Sequence, residues 1–300
     1  MAHTVGTHME HELSSQPACW RKAIALTDAQ AVLPKPGERV AVVGCGTSWF
    51  MSQAYAAMRE TAGAGVTDAY TATEARITTE RDYDVLLVIT RSGTTSEIID
   101  LLQQHRGQLR TIALLGDTDS PVAELADTVV DLSFADEQSV VQTRFATTAL
   151  MFLRASLHET ETLHKAISDA ETVLSTPLDD TLVNQEQYTF LGTDWRLGLA
   201  TEAALKMREA CQAWTESYSS MEYRHGPIAI AAPGRVTWAL GPVPTGLADQ
   251  VAQTGATFIH TDHDPLADLV AIHRIALATA RARNLDPDHP RNLTRSVILQ

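Results

Sequence analysis

Short apolar runs alternate with longer amphipathic stretches along the whole chain. Residues 39–43 (Arg-Val-Ala-Val-Val) are brief and β-branched, which predicts a strand. Glycines follow, and residues 49–59 carry helical spacing. The same cycle repeats with a strand at 84–89, a Gly/Ser/Thr turn and a helix at 97–104. Further strands are predicted at 111–115 and 129–132. Residues 140–165 read as one long helix, and a second runs to about residue 174, with Pro177 just past it. The alternation then restarts: strand 188–191, helix 195–211, strands 236–240 and 257–259, helix 266–283. Strands apolar on both faces, alternating with helices, predict parallel sheets covered on both sides. The expected fold is therefore α/β in two comparable halves, with boundaries at 9–170 and 171–300. Residues 1–8 read as an extension or tag scar outside the fold.

Composition narrows the function classes. At roughly 150 residues per domain, 300 residues suit about two domains. Lys and Arg number 23 against 37 Asp and Glu, a net charge of −14. That balance argues against nucleic acid or an anionic membrane as the main partner, while leaving room for a small anion held by local dipoles. No apolar run approaches the length of a membrane span and no secretory signal is visible. Cys19, Cys45 and Cys211 are odd in number and form no Cys-x-x-Cys, which suits a reducing cytoplasm. Cys211, among apolar neighbours, is expected to be a buried, inert thiol.

Two strand ends in the first half carry the same chemistry. Gly44-Cys45-Gly46-Thr47-Ser48 follows one strand, and Thr90-Arg91-Ser92-Gly93-Thr94-Thr95-Ser96 follows the next. Each opens a helix, where unpaired amides and the helix dipole favour an anion. Hydroxyl side chains add donors, and Arg91 adds fixed positive charge. Helix capping explains either turn alone equally well. The pair together suits a monoester phosphate better than a dinucleotide, because Trp49 breaks the Gly-x-Gly-x-x-Gly pattern. The corresponding turn of the second half, Gly192-Thr193-Asp194-Trp195, holds a carboxylate that would repel phosphate, so one phosphate site is expected per chain.

Glu202, Lys206 and Glu209 stand at i, i+4 and i+7, on one face of a predicted helix. A solvated ion-pair face is the plainer explanation of such a stripe. The turn Met221-Glu222-Tyr223-Arg224-His225-Gly226-Pro227 follows and places an imidazole on a rigid bend. Carboxylate, amine and imidazole together could move protons beside a carbonyl. The run His260-Thr261-Asp262-His263-Asp264 reads as a solvated turn rather than a metal site, and no metal or cofactor is expected.

As a set, these motifs resemble the sugar isomerase (SIS) family, nearest to the isomerase portion of glutamine–fructose-6-phosphate transaminases and to SIS-type glucosamine-6-phosphate deaminases. Cys45-Gly46-Thr47-Ser48 is similar to the first phosphate loop of that family, and Thr90 to Thr95 to its Ser-Gln-Ser-Gly-Glu-Thr loop. Glu202-Ala-Ala-Leu-Lys206-Met-Arg-Glu209 resembles its Glu-Gly-Ala-Leu-Lys-Leu-Lys-Glu helix. Tyr223-Arg224-His225-Gly226-Pro227 resembles its Leu-Lys-His-Gly-Pro turn, and Pro290 to Val297 its C-terminal tail. The resemblance implies two SIS subdomains of doubly wound, flavodoxin-like type and a homodimer. It implies phosphate binding by Thr47, Ser48, Thr90, Arg91, Ser92 and Thr95. Gly46, Gln142, Glu202 and Arg295 are implied as sugar contacts. Glu209 is the implied base at C1 and C2, with Lys206 assisting, and His225 opens the ring, reaching into a neighbouring subunit.

Three positions depart from the transaminase pattern: Arg91 for Gln, Gln142 for Ser and Arg295 for Lys. No glutaminase domain precedes residue 9, so glutamine-driven amide transfer by this chain alone is not expected. The expected activity is cytoplasmic deamination of glucosamine 6-phosphate to fructose 6-phosphate and ammonia. The alternatives are fructosamine-6-phosphate deglycation, or non-catalytic sensing of a phosphosugar.

Overall fold

The computed structural model describes residues 5–157 and 160–299. The chain divides into two compact units. One comprises Ala18–Glu137, Gln142–Leu163 and Thr294–Gln300, and the other Met1–Pro17, Gln138–Val141 and His164–Leu293.

The first unit holds five parallel strands: β1 (Val40–Gly44), β2 (Thr67–Thr71), β3 (Val85–Thr90), β4 (Arg110–Leu115) and β5 (Thr128–Asp131). Their order is β2-β1-β3-β4-β5, the flavodoxin-like doubly wound arrangement, whose topological switch point falls between β1 and β3. β1 and β3 are buried along their whole length because helices cover the sheet. On one face Ala41, Val43, Leu86 and Val88 meet Ile98, Leu101 and Leu102 of the helix Ser96–Gln104. The helix Thr47–Thr61 packs on β1, β2 and β3 and against the helix Arg144–Ala155.

The second unit repeats this build with β6 (Gln187–Gly192), β7 (Trp214–Ser219), β8 (Arg235–Leu240) and β9 (Thr257–His260), all parallel, in the order β7-β6-β8-β9. The helix Arg196–Cys211 packs on β6, β7 and β8 and against the helix Pro265–Ala282.

The α/β class and the parallel sheets agree with the sequence pattern. Three local features differ. The long helix expected at 140–165 is two helices, Arg144–Ala155 and Thr160–Ser175, with residues 158–159 outside the described residues. The first of these starts late because the buried Glu137 carboxylate accepts hydrogen bonds from the amides of Thr143 (2.7 Å), Arg144 (2.6 Å) and Phe145 (3.2 Å), ending the loop there. Residues 1–4 of the expected leading extension lie outside the described residues, yet the rest of it is engaged. Gly6 donates to Asp286 (3.0 Å), His8 and Met9 donate to Asp288 (both 2.9 Å), and a helix runs over Thr7–Ser14. The unit boundaries also differ from the single cut expected near residue 170: the described residues up to Pro17 join the β6–β9 unit, and the described tail from Thr294 joins the β1–β5 unit.

Candidate functional site

β1 and β3 are neighbours in register, so the turns that leave their carboxyl ends lie side by side at the switch point. In the first turn the chain folds back tightly onto the helix Thr47–Thr61: a Cβ on Gly44 would stand 2.5 Å from the Ser48 backbone. Gly46 takes a positive φ of 55° and faces open space, bringing bare backbone to the mouth of the turn. Thr47, Ser48, Thr90, Arg91, Ser92 and Thr95 are all between 5 and 9 % exposed.

Capping does not account for the hydroxyls. Neither Gly46 nor Thr95, the two residues at the helix starts, makes a side-chain cap hydrogen bond. Among the described residues no hydrogen bond engages the hydroxyl groups of Thr47, Ser48, Thr90 or Thr95. Ser92 Oγ accepts from the Thr94 amide at 3.3 Å, closing the second turn.

Arg91 is buried behind these turns. Its guanidinium lies 3.9 Å from the Glu137 carboxylate and donates to the Arg295 carbonyl at 3.0 Å. The C-terminal tail crosses the second turn here: Thr94 Oγ1 donates to Ser296 Oγ (2.9 Å), and the Ser96 amide donates to the Val297 carbonyl (3.1 Å). The Arg295 side chain pairs with Asp136 at 2.6 Å and donates to the Glu137 carbonyl. Gln142 stands one residue before the Glu137-capped amides, 9 % exposed, with its buried Oε1 unpartnered among the described residues. Glu137 is the residue that sequence reading missed in this unit. It lies six to eight residues ahead of the amides it accepts from, outside any local capping pattern.

In the β6–β9 unit the predicted stripe exists, and it is not a solvated face. Lys206 Nζ lies 3.4 Å from Glu202 Oε1 and 2.6 Å from Glu209 Oε2. The side chains of Lys206 and Glu202 are 0 and 1 % exposed, and that of Glu209 is 22 % exposed. Glu209 is thus the member of the row that reaches solvent. Burial of Lys206 requires both carboxylates, since an ammonium taken out of water needs counter-charge and hydrogen bonds.

Behind the row sits His273, another residue the sequence pattern did not single out. It is fully buried on the helix Pro265–Ala282, and Gln16 Nε2 donates toward its Nδ1 at 3.4 Å. Burial, with the nearby Lys206 charge adding to it, pushes its imidazole down to about 3, so it stays neutral. Cys211, at the end of the same helix as Lys206, is a buried thiol pushed up to about 11 by desolvation. His225 stands apart. It is exposed on the turn Glu222–His225, and among the described residues no hydrogen bond or ion pair joins it to Glu209. Arg224 anchors that turn by donating to Gln250 Oε1 (2.7 Å) and to the Thr245 carbonyl (2.5 Å).

The remaining acidic turn behaves as a turn. Asp264 caps the helix Pro265–Ala282 by accepting from the Leu266 amide at 3.0 Å, and His263 donates its amide to Thr261 Oγ1 at 3.1 Å. Among the described residues no group of three or more His, Cys, Asp or Glu side chains is placed to hold a metal ion, and no helix is long and apolar enough to cross a membrane.

Two parallel sheets flanked by helices, one of them bearing paired hydroxyl turns at its switch point, define a doubly wound α/β fold. Residues 35–159 match the family model of the SIS domain. The sequence is 25% identical, over 88% of this chain and 52% of the relative, to the isomerizing glutamine–fructose-6-phosphate aminotransferase of Nostoc. The chain spans about half the length of the curated relatives it matches. Its fold is shared with glucosamine-6-phosphate deaminase from Thermotoga maritima, at a TM-score of 0.79 and 22% identity, covering 98% of this chain and 100% of that one. It is also shared with the C-terminal domain of glucosamine-fructose-6-phosphate aminotransferase from Francisella tularensis, at a TM-score of 0.75 and 17% identity, covering 97% and 99%.

Proposed function

We propose that this chain is a sugar-phosphate isomerase-type enzyme that deaminates glucosamine 6-phosphate to fructose 6-phosphate and ammonia. The observation that carries the reading is the Glu202–Lys206–Glu209 row: two buried charges hold one partly exposed carboxylate. A surface ion-pair stripe has no need of that burial.

In this reading the 6-phosphate binds at the turns of β1 and β3. Thr47, Ser48, Thr90, Ser92 and Thr95 supply hydroxyl donors, and Arg91, backed by Glu137, supplies charge. Binding energy from the phosphate fixes the far end of the sugar for reaction. Gly46, Gln142, Glu202 and Arg295 are assigned to the sugar end or its surroundings. The unpartnered Gln142 Oε1 is the strongest of these assignments, since a sugar hydroxyl would satisfy it.

His225, contributed from a second copy of the chain in a homodimer, opens the pyranose. Glu209 removes the C2 proton of the open-chain aldehyde and returns it to C1. The aldehyde oxygen takes the proton that the C2 ammonium gives up, so C1 becomes a hydroxymethyl group and C2 an iminium. Water adds at C2 and ammonia leaves, completing fructose 6-phosphate. Lys206, fully buried, acts through Glu209 by orienting its carboxylate and carrying the counter-charge. The setting is cytoplasmic.

Incubation with glucosamine 6-phosphate and, separately, with a fructosamine 6-phosphate tests this assignment. The expected result is ammonia release from the first substrate. Free amino acid released from the second, with no ammonia from the first, assigns the deglycase reaction instead. Tight binding of both with turnover of neither assigns a sensor.

A further inference from the structure

Residues 295–299 lie along the second turn of the β1–β5 unit and are held there without apolar burial. Val297, Ile298 and Leu299 are 53, 67 and 62 % exposed. The anchors are polar. The Ser96 amide donates to the Val297 carbonyl (3.1 Å), the Leu299 amide donates to Ser96 Oγ (2.8 Å), and Thr94 Oγ1 donates to Ser296 Oγ (2.9 Å). Neutral hydrogen bonds near solvent hold a segment weakly, because water competes for each of them. Arg295 adds an ionic anchor. Its Nη2 donates to both oxygens of Asp136 (2.6 and 2.8 Å), and its Nη1 donates to the Glu137 carbonyl. Charge-assisted bonds from a planar guanidinium fix orientation as well as distance.

The segment engages one set of groups in the turn and leaves another set. It takes Arg91, Thr94 and Ser96, the first through a bond from the Arg91 guanidinium to the Arg295 carbonyl at 3.0 Å. Among the described residues the hydroxyls of Thr90 and Thr95 make no hydrogen bond, and Ser92 Oγ only accepts, from the Thr94 amide. The backbone of the turn is tied separately: the Gly116 amide donates to the Arg91 carbonyl (3.1 Å) and the Val122 amide to the Gly93 carbonyl (3.2 Å). Release of the segment therefore leaves the turn folded. What it alters is Arg91, whose guanidinium sits between the Arg295 carbonyl and the Glu137 carboxylate 3.9 Å away. Loss of the carbonyl lets that charge swing.

We propose that Arg295 is a positioning residue for the phosphate turn: its ion pair with Asp136 pins residues 295–299, so that its own carbonyl holds the Arg91 guanidinium in place for a phosphate monoester. Arg295 then belongs to the surroundings of the ligand and does not touch the sugar. The inference rests on the reading of the turns as a phosphate site, and it holds for any reaction that follows binding.

Calorimetric titration of the full chain with fructose 6-phosphate tests this role. Arg295→Ala and Asp136→Ala should each raise Kd about tenfold, the worth of one charge-assisted hydrogen bond. The double variant should bind no more weakly than either single one, because both substitutions open the same clamp. In an Arg91→Gln chain, Arg295→Ala should change Kd by less than about twofold, since the group it positions is gone. Asp136 supplies the deciding sign. If Arg295 itself gripped the ligand, removing the opposing carboxylate would tighten the binding of an anion. Tighter or unchanged binding by Asp136→Ala, additive losses in the double variant, or an undiminished effect of Arg295→Ala in the Arg91→Gln chain overturns the proposal. Both side chains are 34 % exposed, so neither variant strands a buried charge, and each single variant tests the claim without the other. No binding by the unaltered chain refutes the phosphate site and this inference with it, whereas binding insensitive to the two substitutions refutes the inference alone.

Discussion

Lys206 donates to Glu209 across 2.6 Å on one turn of a helix, with the lysine wholly buried and the carboxylate reaching solvent. The pair has an inner and an outer member, and the outer member is the group proposed to meet substrate. Glu209→Gln keeps the shape and removes the base. It should lower turnover by about 10²-fold or more while leaving affinity for the sugar phosphate within a few-fold. Steady-state kinetics beside a binding titration separate the two, and retained turnover removes Glu209 as the base.

Lys206→Met tests the inner member. Removing the ammonium leaves Glu202 without the counter-charge 3.4 Å away, in a place only 1 % exposed. Breaking a buried pair in this way costs about 3–5 kcal/mol, so the melting temperature should fall steeply. The double variant Lys206→Met/Glu202→Met should recover much of that loss. A thermal scan in which the single variant melts like the parent chain places the row in solvent.

Glu137 carries two duties in the β1–β5 unit: it accepts three helix amides and stands 3.9 Å from Arg91. Glu137→Gln retains part of the cap and loses the charge. KM for a phosphorylated sugar should rise several-fold with kcat little changed, because the phosphate anchor weakens while the base is untouched. A fall in kcat at constant KM contradicts the anchoring role assigned to Arg91.

Asp268 makes stability depend on pH. Its pKa rises from 3.8 to about 7 on folding, chiefly through burial, with Asp264 and Asp169 adding repulsion and the Thr261 hydrogen bond and Lys165 opposing. The folded chain therefore holds this proton more tightly than the unfolded chain. The associated stability is complete below about pH 4 and drains away as pH rises through 7, on the order of a few kcal/mol in all. Asp268→Asn should raise the melting temperature at pH 8 and leave it nearly unchanged at pH 4. An equal shift at both pH values excludes titration of Asp268 as the cause.

How much was legible beforehand follows from how each element is buried. β1, β3 and β6 are covered on both faces, so their apolar runs stand out in the sequence. β2 (Thr-Asp-Ala-Tyr-Thr) and β7 (Trp-Thr-Glu-Ser-Tyr-Ser) are edge strands, mostly half-exposed and polar, and their pattern is indistinguishable from a loop. In the candidate site, the spacing of Glu202, Lys206 and Glu209 was readable, whereas their burial was not. It depends on tertiary neighbours such as His273, 64 or more residues away along the chain. Glu137 escaped for the same reason, because its partners Arg91 and Thr143–Phe145 come together only in the folded unit.

The central claim is that Glu209 moves a proton between the first two carbons of a phosphosugar, and isotope exchange reads that step directly. Fructose 6-phosphate and ammonium chloride incubated with the protein in D2O and followed by proton NMR should lose signal at C1 as solvent deuterium enters, and Glu209→Gln should leave that signal intact while still binding the sugar. Deuterium entering C1 equally fast with the variant, or not at all with the unaltered chain under conditions where the sugar is bound, would contradict the account.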